Sequence, residues 1–169
     1  LEHSRDEIDA TVLADIKKRK LPVFGDNPDT TWGTTRAAAL KQMHHFFETG
    51  FDEFGAYEDA MVADSWAVNH SLLSPYLNVG LLHAEEVIEG ALKRFAQGDI
   101  PLASAEGFIR QIIGWREYVN GMYWFLGPDY RNNNQLGASR KLLPLFNNPD
   151  ATQMNCLKET VTDIQERAW

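Results

Sequence analysis

Two short stretches of this 169-residue chain combine polar and apolar residues in ways that core packing alone does not demand. Residues 69–80 read N-H-S-L-L-S-P-Y-L-N-V-G, with Ser71 and Ser74 bracketing two leucines ahead of Pro75. Two hydroxyls and the free amides at the start of a turn suit a pyrophosphate, and the same pattern also serves a capped helix junction. Residues 108–118 read F-I-R-Q-I-I-G-W-R-E-Y, which sets Gln111, Arg116 and Glu117 on an otherwise apolar helix. A buried arginine is costly unless paired, so Arg116 is expected to have an acid partner or an anionic ligand.

The remaining reactive residues are less telling. His44 and Glu48 lie four apart and could ligate a metal from one helix face, but zinc sites use three or four ligands and a solvated pair is the simpler reading. Cys156 reads as a small buried hydrophobe. Trp115, Tyr118, Tyr123 and Trp124 read, on spacing, as core packing. There is no glycine-rich phosphate loop, paired-cysteine zinc site or nucleophile elbow.

The elements that must position these residues are helical. Apolar spacing follows the helix period almost throughout, without a sustained alternating run, so the fold class expected is all-α. A first helix can begin at Ser4, where Ser4 and Glu7 have capping-box spacing and Ile8, Val12 and Ile16 share a face. Residues 21–34, with Pro22, Gly25, Pro28 and Gly33, form a loop or linker. A second helix fits 35–48, capped by Thr35 and closed by Gly50, with Leu40, Met43 and Phe47 on one side. Short helical pieces are expected at 57–62 and 65–73, then a break at Pro75 and a helix over 83–97. Ser104 opens the longest apolar stretch, a central bundle helix on its composition, which Gly127 and Pro128 end. Residues 129–152 read as loop, and a last helix covers 152–169, with Asp150 and Gln153 as a possible cap pair and the helix unfinished at the last residue.

Composition narrows the class further. With 44% apolar and 24% charged residues the chain is an ordinary folded domain, and at this length it buries roughly 70% of its unfolded surface. No apolar window approaches the roughly 20 residues of a membrane span, the first twenty residues are charged, and one cysteine makes no intrachain disulfide, which together favour the cytoplasm. A net charge of −8 argues against nucleic-acid binding by default. The charge is uneven, however: residues 101–145 hold five basic and three acidic side chains, while residues 1–66 hold seven and thirteen.

The pair S-L-L-S-P-Y-L-N-V-G and G-F-I-R-Q-I-I-G-W-R-E-Y resembles the flavin-binding helical domain of the photolyase and cryptochrome family, and more closely its prokaryotic iron-sulfur branch. W-G-T-T-R at 32–36, F-G-A-Y-E-D-A-M at 54–61 and M-N-C-L at 154–157 extend the resemblance over residues 32–169. It implies residues 1–31 as an N-terminal helix and linker, and 32–169 as part of an FAD-binding helical domain, truncated at its C-terminus. The S-L-L-S segment, Ser71, Leu72, Leu73 and Ser74 with His70 beside them, would hold FAD phosphates. Tyr57 would reach the flavin, and Gln111, Trp115, Arg116 and Tyr118 would contact the cofactor, Trp115 also facing the lesion pocket. The activity implied is light-driven electron transfer from reduced FAD to a cyclobutane or (6-4) pyrimidine lesion flipped out of the duplex; no acid-base pair is needed. Damaged DNA would be the partner, met by Trp115 and the basic residues Arg131, Arg140 and Lys141.

The departures from the family are equally specific. Family members are much longer and begin with an α/β domain able to carry an antenna chromophore, which nothing here matches. Cys156 matches the first of four cysteines that ligate a 4Fe-4S cluster, so a cluster and an antenna pigment belong, if anywhere, to a full-length parent whose N- and C-terminal parts are missing here. Asn148 stands where a tryptophan that relays electrons to the flavin is expected. The expectation is therefore a photolyase fragment; the alternatives are a cryptochrome-like photoreceptor without repair and a helical interaction module without cofactor.

Overall fold

In the computed structural model, residues 1–22, 25, 30–62 and 64–167 are described. Pro28 of the expected linker and the end of the last expected helix at Trp169 lie outside them. The described residues form seven α-helices and no strand: α1 (Glu7–Arg19), α2 (Arg36–Thr49), α3 (Phe51–Tyr57), α4 (Ser74–Asn78), α5 (Ala84–Gln97), α6 (Leu102–Leu126) and α7 (Asn155–Arg167). The all-α expectation holds. The chain divides into two compact units, one of Leu1 with Thr34–Asn133, the other of Glu2–Gly33 with Asn134–Trp169.

The first unit carries α2 to α6. Thr35 caps α2, its hydroxyl oxygen accepting from the Ala38 amide at 3.2 Å. The helix buries Ala39, Gln42, Met43, Phe46 and Phe47, a single stripe at helical spacing. Gly50 ends α2 as expected, but α3 starts on the next residue, displacing the helix expected at 57–62. The bend turns Phe51 and Phe54 back towards Phe46 and Phe47, and Phe108 of α6 completes the cluster, its ring 5.0 Å from Phe51, 5.1 Å from Phe46 and 5.4 Å from Phe54. Burying one such ring contributes about 2–3 kcal/mol.

Gly55 lets α3 approach α6 closely: a Cβ there would lie 2.5 Å from the Ala103 carbonyl carbon and the Ser104 nitrogen. Ser104 is fully buried and joins the two helices, donating to the Asp52 carbonyl at 2.8 Å and accepting from the Gly55 amide at 3.0 Å. It does not open α6, which begins two residues earlier behind Pro101. On α5, Gly90 faces the Phe47 ring, and the α5 N-terminus is tied to α2 by Arg36, whose guanidinium donates to Glu86 at 2.7 and 2.9 Å and to the Leu81 carbonyl. That pair lowers the Glu86 carboxyl to about 2, chiefly through the Arg36 hydrogen bond.

The sequence expectation fails for the second half of α6. Burial stops at Ile112, and Trp115, Tyr118, Tyr123, Trp124 and Phe125 are all exposed, Phe125 at 85%, so this aromatic cluster is not core packing. The cause is length. A 25-residue helix runs about 37 Å, whereas α3, its main neighbour, runs about 10 Å.

The second unit carries α1 and α7. Helix α1 is capped by Asp6 and Asp9, a reciprocal box two residues after the Ser4 and Glu7 pair expected, and Ile8, Val12 and Ile16 on it are exposed. Short 3₁₀ turns at Pro144–Phe146 and Pro149–Ala151 precede α7, which buries Val161. Thr152 accepts from the Met154 amide, and Asp150 pairs with Lys158 rather than capping with Gln153.

Candidate functional site: a strained loop and an aromatic groove in the first unit

Residues 65–73, expected to be helical, are instead irregular, and the short α4 begins at Ser74 with Pro75 inside its first turn. Val68 and Leu72 adopt left-handed backbone, φ 43° and 57°. Neither is glycine, and each such residue costs roughly 1–2 kcal/mol, so surrounding contacts must hold the segment. Side-chain contacts do. Ser65 Oγ accepts from the Val68 amide at 3.1 Å, and Asn69 Nδ2 donates to Glu53 at 3.1 Å. Gln42, buried on α2, donates to the Ser71 carbonyl at 3.3 Å. The two nitrogens of His70 lie 2.8 Å from the Ala67 carbonyl oxygen and 3.0 Å from that of Glu58. Leu73 is buried in the core, Ser71 and Leu72 are half-buried and Ser74 is exposed. Tyr57, at the end of α3, is 48% exposed.

The second feature is a surface groove of about 470 Å³ along α6, lined by Arg110, Gln111, Gly114, Trp115 and Tyr118. Residues 111, 114, 115 and 118 share one helix face by their spacing. Gly114 forms the floor because it has no side chain. Gln111 accepts from the Trp115 indole N–H at 2.9 Å, and Tyr118 meets the indole edge-on at 6.1 Å. The indole is thereby held in one orientation while 61% of Trp115 stays exposed. Such a groove offers an aromatic face, an amide edge and a cation to a planar heteroaromatic ligand.

Arg116 is not part of it. It is exposed and donates to the Ile112 carbonyl one turn back at 3.1 Å, so the expectation of a buried arginine with an acid partner is corrected: the helix turns it away from the Phe108 cluster. The arginine at the groove is Arg110, which sequence reasoning passed over. It pairs with Glu106 at 3.2 Å and with Glu58 at 3.5 Å; the i, i+4 spacing to Glu106 was the available signal. Gln42 was missed as well, since a polar residue inside an apolar stripe carries no mark of its partner.

Elsewhere, Glu48 lies 3.9 Å from Arg94, and the described residues include no group of three or more metal-ligating side chains. Cys156 is exposed at the start of α7, not a buried hydrophobe. Arg131 in the first unit and Arg140 and Lys141 in the second are exposed. Asn148 accepts from the Asp150 amide at 3.1 Å and so caps the turn at Pro149–Ala151. No helix among the described residues is long and apolar enough to cross a membrane.

No family model matches the chain. Over 78 residues, 46% of this chain and 60% of the relative, it is 35% identical to an uncharacterized protein of Acanthamoeba polyphaga mimivirus. Over 164 residues, 97% of this chain, it is 40% identical to a (6-4) photolyase of Agrobacterium fabrum, and spans 32% of that protein's length. Nearly the whole chain, loop and groove included, is therefore similar to one third of a (6-4) photolyase.

Proposed function

We propose that this chain is a segment of the helical, FAD-binding domain of a photolyase-like DNA-repair protein, and that the Ser71–Ser74 loop and the α6 groove are parts of its flavin and lesion site. The observation that carries this reading is the 40% identity over an alignment of 164 residues that spans both features. The bare second half of α6 supports it, since a run of exposed aromatic and aliphatic side chains of this size marks a surface that other molecules or polypeptide cover, and the relative is three times as long.

The residues present fit a flavin dinucleotide. Trp115 and Tyr118 offer rings at right angles, one to lie along the cofactor and one to receive an extruded base, with Gln111 fixing the indole. Ser71, Leu72 and Ser74 present hydroxyls and amides to a diphosphate, with His70 and Leu73 anchoring the segment from behind. Tyr57, and Arg116 from outside the groove, serve as further contacts. When bound, reduced FAD supplies the light-driven electron that splits a cyclobutane or (6-4) lesion. The chain's own part is to bind and orient, to stack the flipped base and to exclude water. Arg131, Arg140 and Lys141 would meet DNA phosphates, and Cys156 would contribute one ligand to an iron-sulfur cluster whose other ligands lie in the rest of the parent, where any antenna pigment would also sit. The cytoplasm is the compartment this reading implies.

A helical interaction module without cofactor is favoured by one observation: Asn148 caps a turn where the family resemblance expects a relay tryptophan. The test is the full-length polypeptide carrying this chain, assayed on a duplex with a defined (6-4) or cyclobutane lesion under blue light and in darkness. Repair only in light is expected. A flavin-loaded protein that repairs neither lesion would establish the sensor reading, and a folded protein that takes up no FAD would leave the interaction module.

A further inference from the structure

His70 carries more of the loop geometry than any other side chain. Its Nδ1 faces the Ala67 carbonyl oxygen at 2.8 Å, the same oxygen that accepts the His70 amide, and its Nε2 reaches the Glu58 carbonyl at 3.0 Å, twelve residues back at the end of α3. Both acceptors are carbonyls, and neither can donate. A neutral imidazole has one N–H, so only an imidazolium donates to both; in the neutral ring one contact becomes a lone pair against a lone pair. In sequence His70 lies between Val68 and Leu72, two left-handed non-glycine residues, which relax to ordinary backbone unless they are held.

We propose that His70 is a charge-dependent positioning residue, a latch that holds the strained 68–72 turn in shape when its ring is protonated and loosens it when the ring is neutral. Charged residues bonded to the same segment include Glu53, through Asn69, and Glu58, through its main-chain carbonyl, its carboxylate pairing with Arg110 of α6; from α2 the segment receives the neutral Gln42. Asp59 and Asp64 flank the segment and are exposed. The latch itself is independent of any ligand. Its consequence for cofactor binding rests on the reading that Ser71 and Ser74 face a diphosphate, and the loop that presents them would then bind best with the ring charged.

The test is amide hydrogen exchange on this chain, corrected for intrinsic rates, from about pH 5 to 8, the interval in which histidine titrates. Protection of amides 69–73 in the wild type is expected to fall about tenfold across it, the value of one charge-assisted hydrogen bond, while amides of α2 stay unchanged. His70→Gln, whose one amide nitrogen replaces two ring nitrogens and does not titrate, is expected to show pH-independent protection at 69–73. Wild-type protection that is flat with pH, or the same pH profile in His70→Gln, would overturn the latch. Should His70→Gln fail to fold, the wild-type ring nitrogens decide by their NMR shifts: both protonated near pH 6 supports the latch, and a single fixed tautomer throughout refutes it. Titration of the full-length polypeptide with FAD over the same interval separates the two claims, because a pH-dependent loop in a protein that never binds FAD leaves the latch standing and removes the flavin reading.

Discussion

Gly55 and Glu86 illustrate how single residues set the frame around the site. Adding one methyl at Gly55 places a carbon 2.5 Å from the main chain of α6, where neither helix can yield without disturbing Ser104 and both its hydrogen bonds. Gly55→Ala is expected to cost about 3 kcal/mol, read from the denaturant midpoint, whereas the same change at Gly114, whose nearest neighbour to a new Cβ is 3.7 Å away, should be neutral or slightly stabilising. Glu86 carries a pH signature. Its carboxyl is lowered from 4.5 to about 2 by Arg36, so the native state holds the proton less tightly than the unfolded chain does. That contribution is complete above about pH 4.5 and is lost as the pH falls towards 2. Glu86→Gln should lower stability at neutral pH and flatten the acid limb of a melting-temperature profile over that interval. At the groove, Trp115→Ala in the full-length polypeptide is expected to weaken damaged-DNA binding about tenfold, the value of one stacked base; outside it, Arg116→Ala is expected to lower flavin retention, and unchanged FAD content would remove Arg116 from the cofactor contacts.

At the scale of elements, α6 is the axis of the first unit and Phe108 its anchor. Phe108→Ala removes the ring that joins α2, α3 and α6 and is expected to cost about 3–5 kcal/mol in equilibrium unfolding. Much of the helix pattern was legible. Thr35 and Gly50 bound α2, and Gly98 and Gly127 end α5 and α6 because glycine accepts the left-handed caps found there. The misses share a cause: local signals had rivals that only tertiary contacts decide. Asp6 and Asp9 competed with Ser4 and Glu7 for the same cap, Ser104 was spent across α3 and α6 rather than at a helix start, and Gly50 was followed at once by another helix. The strained loop was invisible because left-handed valine and leucine have no sequence mark; its order comes from Gln42, 29 residues away, and from the Glu58 carbonyl.

Across the whole molecule, the residue types of the candidate site were legible as motifs, but their grouping was not. Gln111, Trp115 and Tyr118 share a groove with Arg110, while Arg116 points away from it, a distinction that depends on where Phe108 and Ile112 fix the rotation of α6. The aromatic second half of α6 reads as buried in sequence and stands exposed in this chain, which is what a segment parted from covering polypeptide would show, and the chain spans a third of the (6-4) photolyase it matches. A net charge of −8 describes the average surface and hides the surplus of basic residues over 101–145, the stretch that holds the groove. The most direct measurement is the visible absorption spectrum of the purified full-length polypeptide, with the bound flavin released and counted. The account predicts a yellow protein holding close to one FAD per chain, whose content falls when Ser71 and Ser74 are replaced together by bulky residues; a folded, colourless protein that takes up no FAD from solution would contradict it.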